Sequence, residues 1–233
     1  MYYGYGYDAT YLLVLIGVVI CMIASARMNA TFQKYVKVQS HTGLTGKEAA
    51  ERILNSQGIY DVRVEHIAGN LTDHYDPRNK VVSLSDATYN STSVAAIGVA
   101  AHECGHALQH AMGYAPLSVR SALVPVANFG STIAWPLILL GFLFNGSMSY
   151  MLLNLGILAF SLAVLFQIVT LPVEFNASGR ALKLLGGTGM LYEQEVSDVR
   201  KVLTAAALTY VASAASALLQ LLRLVLLSGR RRR

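Results

Sequence analysis

Charge is what this sequence has least of. Asp, Glu, Lys and Arg make up 13% of its 233 residues while hydrophobic residues reach 54%, against a usual charged share of about 25%. So few charges beside so much apolar side chain point to lipid rather than to a large soluble core. Cysteine is scarce too. Cys21 and Cys104 are the only two, which excludes a disulfide framework. Cys21 lies inside an apolar run. Cys104 is two positions from each neighbouring histidine, a step of about 200° around a helix that turns it away from them. Both read as buried free thiols. No Lys or Arg precedes Arg27, so the start of the chain lacks the basic region of a signal peptide and reads as an uncleaved anchor. The net charge is +5, but the excess sits beside apolar runs and in the Arg230–Arg233 tail. A nucleic-acid surface would interleave it with exposed aromatics, so no nucleic-acid partner is expected. No internal repeat is apparent.

What the chain does have is long apolar runs. Met1–Tyr7 is rich in Tyr and Gly, and tyrosines suit a bilayer interface. Thr10–Ala26 is long enough for a first span. Arg27, Lys34 and Lys37 follow, which by the positive-inside rule puts that end in the cytoplasm. Ser121–Phe144, interrupted by Pro125 and Pro136, and Ser149–Leu171 are joined by the uncharged turn Asn145-Gly146-Ser147-Met148. They read as a membrane hairpin, since prolines are tolerated in spans. Val202–Leu227, with Arg223 near its end, is a last apolar stretch. As a fourth span it would put the arginine tail outside, against the positive-inside rule. The alternative is a helix lying at the membrane surface. The fold class expected is a mainly α membrane protein with three to four transmembrane helices and a small α+β catalytic domain.

From Asn29 to about Gly113 the composition is that of a soluble domain. Thr45 and Glu48 form a capping box for a helix whose apolar face is Ala49, Ala50, Ile53 and Leu54, with Gly58 as its stop. Val62–Ile67 alternates as a half-buried strand does. Asp76-Pro77-Arg78-Asn79 is a turn before a second strand, Lys80–Ser85. An exposed edge there, Val81, Val82, Ser83, Leu84 and Ser85, can pair with an extended peptide substrate; ordinary sheet packing is the alternative. Asn90-Ser91-Thr92-Ser93 offers N-caps for a helix from about Val94.

That helix carries His102-Glu103-Cys104-Gly105-His106-Ala107-Leu108-Gln109-His110. Histidines four apart share one helix face, where two imidazoles can hold one zinc ion. Glu103 is placed to take a proton from a water on the metal. A zinc hydrolase usually has a third protein ligand, and His110, His74, His66, His41, several aspartates and Glu174 are candidates. A straight helix cannot bend a third histidine, His110, around the same ion, which leaves it as a helix-end residue or a donor behind the ligands. Glu174 is favoured, because the hairpin begins close to the zinc helix and its far end can return to it. Ser178, one turn beyond Glu174, can then hydrogen-bond a ligand.

The His102–His110 stretch, with Asp73-His74-Tyr75-Asp76-Pro77-Arg78 upstream and Glu174-Phe175-Asn176-Ala177-Ser178-Gly179-Arg180-Ala181-Leu182 downstream, resembles the YugP-type membrane zinc metallopeptidases of bacteria over nearly the whole chain. The resemblance implies a neutral zinc endopeptidase of the bacterial plasma membrane, in the gluzincin group of zincin-like folds, with His102, His106 and Glu174 on one Zn²⁺ per chain and Glu103 as general base. It also implies membrane lipid and membrane-associated or unfolded proteins as partners, with a regulatory partner possible. The layout is more distantly similar to membrane peptidases that process prenylated proteins or act in heat-shock quality control. Those carry Glu-x-x-Ala-Asp, where this chain has Ser178 in place of the aspartate. Arg180, Tyr192 and a histidine are candidates for stabilising the oxyanion. Two competing readings are an intramembrane, site-two-like protease with an aspartate ligand and a non-catalytic membrane scaffold with a structural zinc. The expected organisation is an anchor over 1–26, a catalytic domain over 27–118, a membrane hairpin over 119–171, a third-ligand region over 172–200 and a C-terminal apolar helix with basic tail over 201–233.

Overall fold

A computed structural model describes residues 8–231, so the expectations for Met1–Tyr7 and for the end of the arginine tail lie outside the described residues. Among the described residues, six helices and three strands follow one another as α1 (Tyr11–Tyr35), α2 (Gly46–Ser56), β1 (Arg63–His66), β2 (His74–Asp76), β3 (Val81–Leu84), α3 (Val94–Ala111), α4 (Ala115–Leu143), α5 (Gly146–Gly187) and α6 (Glu193–Arg231). Among the described residues, α1, α4, α5 and α6 are each long and apolar enough to cross a membrane, with mean hydropathy of 2.2, 1.6, 2.3 and 1.8 over their most apolar windows. The fold is therefore a mainly α membrane protein with a small α+β portion.

The chain divides into two compact units. One takes the described residues of Met1–Ala24, Val119–Thr170 and Thr209–Arg233. Its core includes Ala134, Ile138, Leu153, Ala159 and Leu224 from α4, α5 and α6. Apolar side chains such as Leu139, Leu158 and Leu222 stay exposed on these helices, as expected where bilayer and not water is the solvent. Arg223 places its guanidinium carbon 4.2 Å from the centroid of the Tyr11 ring, a cation–π contact that offsets part of the cost of a cation in an apolar stretch.

The other unit comprises Ser25–Ser118 and Leu171–Leu208. Its helices start where local chemistry directs. The Thr45 hydroxyl accepts from the Glu48 amide while the Glu48 carboxylate accepts from the Thr45 amide, a complete capping box for α2. The Ser93 hydroxyl accepts from the Ala96 amide at the start of α3. Ala49, Ala50, Ile53 and Leu54 of α2 pack with Ala95, Ile97, Ala100, Ala101 and Cys104 of α3, Val82 and Leu84 of β3, Ala181 and Leu185 of α5, and Val199 and Val202 of α6. The Cys104 thiol points into this core at Ala50.

The sheet corrects one expectation. Its order is β1-β3-β2, with β1 parallel and β2 antiparallel to β3. Val81–Leu84 is thus the middle strand. Ladder partners occupy both of its sides, and it offers no edge to a peptide. The open edges belong to β1 and β2. The two-strand reading failed because β2 has only three residues, too short to show an alternating pattern. The Asp76–Asn79 turn was read correctly, and it joins β2 to β3. Asp76 holds that turn by accepting from the Arg78 amide and the Asn79 side chain.

Candidate metal centre

The site begins with a glycine. Gly105 lies between the two histidines of α3, and Ala177 lies between Glu174 and Ser178 on α5. A Cβ at position 105 would stand 2.5 Å from the Ala177 carbonyl oxygen, so the two backbones meet at a distance that only glycine permits. Because α3 is capped at Ser93 and packed into the core, and α5 runs unbroken through Pro172 to Gly187, this contact sets the side chains on either side of it opposite one another.

Their ligand atoms converge. His102 Nε2 lies 3.3 Å and His106 Nε2 3.5 Å from the same Glu174 oxygen, Oε2. The three ligand atoms all fall within 4.8 Å of one another, and among the described residues no fourth His, Cys, Asp or Glu joins the group. Glu174 is 3% and His106 8% exposed, so neither is a surface group paired by chance. Two neutral imidazoles and a carboxylate are the donor set of a catalytic zinc site with an open position. Glu103, next to His102 on α3, is also buried, at 8% exposure.

The proton positions of the imidazoles can be argued from their partners. The Gln109 side-chain nitrogen donates to the Val173 carbonyl at 2.8 Å. A carbonyl can only accept, so the amide orientation of Gln109 is fixed and its oxygen must face His106 Nδ1, 3.0 Å away. Nδ1 therefore carries a proton, and Nε2 is the atom left to bind a cation. The network continues. Gln109 also donates to Asn176 Oδ1, and Arg180 Nε donates to the same oxygen at 2.7 Å. His102 Nδ1 faces the Ser178 hydroxyl at 3.1 Å. Burial alone would lower the basicity of His106, but the hydrogen bond to Glu174 and the charges of Glu103 and Glu174 outweigh it and raise its pKa. A place that attracts a proton to Nε2 in this way attracts a divalent cation for the same reason.

The other candidates lie elsewhere. His110 turns its Nδ1 to the Tyr75 hydroxyl, 2.9 Å away, and is not among the converging ligands. It braces the end of α3 on β2 and does not support a ligand. Burial and the nearby Asp61 and Asp76 push the Tyr75 phenol up to about 12, so it stays protonated. His41 pairs with Glu195 at 2.5 Å, His66 with Asp86 at 2.7 Å, and His74 with the Thr72 carbonyl. Tyr192 stacks on His41 with ring centroids 3.4 Å apart. The Asp73–Arg78 motif is structural, with Asp73 accepting from the Ser85 amide and hydroxyl at the end of β3. Sequence reasoning missed Gln109 and Asn176. The signal for Gln109 was its spacing of three from His106, which puts it on the same helix face.

Four apolar helices and a buried cluster of two histidines and one carboxylate define a membrane protein with a candidate metal site. The chain belongs to the family described as "Putative neutral zinc metallopeptidase", whose profile matches residues 10–229. It is 50% identical over 209 residues to the "Putative membrane protease YugP" of Bacillus subtilis (strain 168), an alignment covering 89% of this chain and 92% of that protein. No solved structure matches.

Proposed function

We propose that the protein is a membrane-bound zinc endopeptidase of the gluzincin type. The observation that carries this reading is the convergence of His102 Nε2, His106 Nε2 and Glu174 Oε2 on one point, with both remaining imidazole nitrogens engaged by Ser178 and Gln109. These three atoms would hold one zinc ion per chain. Bound there, zinc supplies Lewis acidity, acidifying water and polarising the scissile carbonyl. Glu103 accepts the proton of the attacking water on its carboxylate and hands it to the leaving amine nitrogen. Gln109 and Ser178 keep the imidazoles oriented through the cycle. Arg180 is better placed than Tyr192 to support the oxyanion, because it is attached to the ligand network through Asn176 whereas Tyr192 is stacked on His41.

The carboxylate in the cluster is a glutamate, which favours this reading over a site-two-like protease with an aspartate ligand. A buried acid at position 103 favours catalysis over a structural zinc, which has no use for a base. Arg27, Lys34 and Lys37 after the first span support a site facing the cytoplasm of a bacterial plasma membrane. Substrates would then be membrane-associated or unfolded chains, with room for a regulatory partner. A peptide adding to the sheet would use the edge of β1 or β2. Replacing Glu103 with Gln tests the mechanism. The variant is expected to bind zinc as the wild type does and to lose peptide cleavage by at least about a hundredfold. Proteolysis at the wild-type rate in Glu103→Gln would sink it.

A further inference from the structure

The α1 and α6 segments of the Ser25–Ser118 and Leu171–Leu208 unit enclose a cleft of about 480 Å³, a volume in the range of about 300–1,000 Å³ usual for small-ligand pockets. Four cations line it, Arg27 and Lys34 from α1 and Arg200 and Lys201 from α6, and among the described residues no carboxylate does. Spacing explains how two helices do this. Arg27, Thr31 and Lys34 recur on one face of α1, and Arg200, Thr204 and Leu208 on one face of α6. Lys201 is paired with Asp198 at 2.8 Å, which is not part of the lining. Tyr35 is buried, and the ammonium groups of Lys34 and Lys201 lie 5.1 and 5.7 Å from its ring centroid. It fixes the two lysines at the cleft without neutralising them.

We propose that this cleft binds the phosphate headgroup of one anionic phospholipid. Concentrated positive charge in a concave site selects a phosphate or a similar anion. Two features select a lipid over a soluble anion. Arg27 follows the apolar run Thr10–Ala26 with no residue between them, and a headgroup held there lies at the end of a span. On α6, Ala205 and Leu208 line the cleft from within the apolar stretch Val202–Leu227. Apolar side chains of the last helix therefore lie in the cleft beside its cations, matching a phosphodiester followed by its glycerol and acyl chains. Basic pockets beside membrane helices recognise anionic headgroups by this combination. The site is separate from the metal centre and does not depend on its activity.

Native mass spectrometry of the detergent-solubilised full chain, offered equal amounts of phosphatidylglycerol and phosphatidylcholine, tests the proposal. One phosphatidylglycerol should be retained at least about tenfold more than phosphatidylcholine. Arg27→Gln, Lys34→Gln and Arg200→Gln should each cut that retention roughly fivefold, while Lys37→Gln, outside the lining, should leave it unchanged. Variants are compared only where thermal unfolding matches the wild type. The comparison of the two lipids on the unmodified chain needs no variant. Equal retention of both lipids would overturn the proposal, as would an equal loss in Lys37→Gln. Displacement of the lipid by millimolar glycerol 1-phosphate would also overturn it, because the cleft would then be reading a soluble phosphate.

Discussion

The two imidazoles of the centre are held by groups of different strictness. His106 faces the oxygen of an amide whose other end is fixed on the Val173 carbonyl, so only one tautomer satisfies the network. His102 faces a hydroxyl, which can donate or accept and fixes less. Gln109→Leu removes the acceptor and leaves His106 Nδ1 buried without a partner. Zinc affinity, measured by competition with a chelator, should fall about 10–100-fold. Ser178→Ala should lie at the mild end of that range, about tenfold. The shared helix face of His102 and His106, with Glu103 beside it, was legible in the sequence because i,i+4 spacing on a helix is local geometry. Glu174 was legible only by reasoning that a hairpin must return. Asn176 was not, because its role depends on a contact with Gln109 from another helix, and nothing local to either residue encodes that contact.

At the scale of elements, the close approach of α3 and α5 at Gly105 is what makes a single site of two distant segments. Gly105→Ala places a methyl group against the Ala177 carbonyl, and backbone cannot swing aside as a side-chain tip would. The helices must separate. Overpacking of this kind costs about 1–3 kcal/mol, and here the displacement opens the ligand triangle as well. Zinc content and thermal stability should both drop, and the comparison with Ser178→Ala, which leaves the backbones in contact, separates packing from ligand support. Helix starts were legible from Thr45, Glu48 and Ser93 because a cap is a pattern of a few adjacent residues. Thr45→Ala should cost about 1 kcal/mol in a denaturant titration. Strand order was not legible. The Val62–Ile67 and Lys80–Ser85 patterns announce strands but carry no signal for which side of β3 each neighbour takes, or for a three-residue strand between them.

For the whole molecule, four apolar helices were legible from hydropathy, and the last runs as one helix from Glu193 to Arg231. Less legible was that the N-terminal part of α6 belongs with the polar unit. Glu195, ahead of the apolar stretch, shows this by accepting from the amides of both His41 and Tyr192. Burial pushes its carboxyl up, but those two backbone hydrogen bonds and the His41 side chain outweigh it and hold the pKa below the usual value. A carboxyl whose pKa is lowered by folding stabilises the fold above its unfolded pKa of about 4.3 and loses that contribution as pH falls through the folded value. Glu195→Gln should therefore unfold at a lower temperature than the wild type at neutral pH, and the gap should close below about pH 4.

The central claim is that α3 and α5 jointly hold one metal through His102, His106 and Glu174. Zinc per chain, measured by elemental analysis on purified Glu174→Gln after dialysis against a weak chelator, tests it most directly. The account predicts that zinc falls from one per chain to well below half while Glu103→Gln, treated alike, keeps its full complement. Full zinc in Glu174→Gln would contradict it.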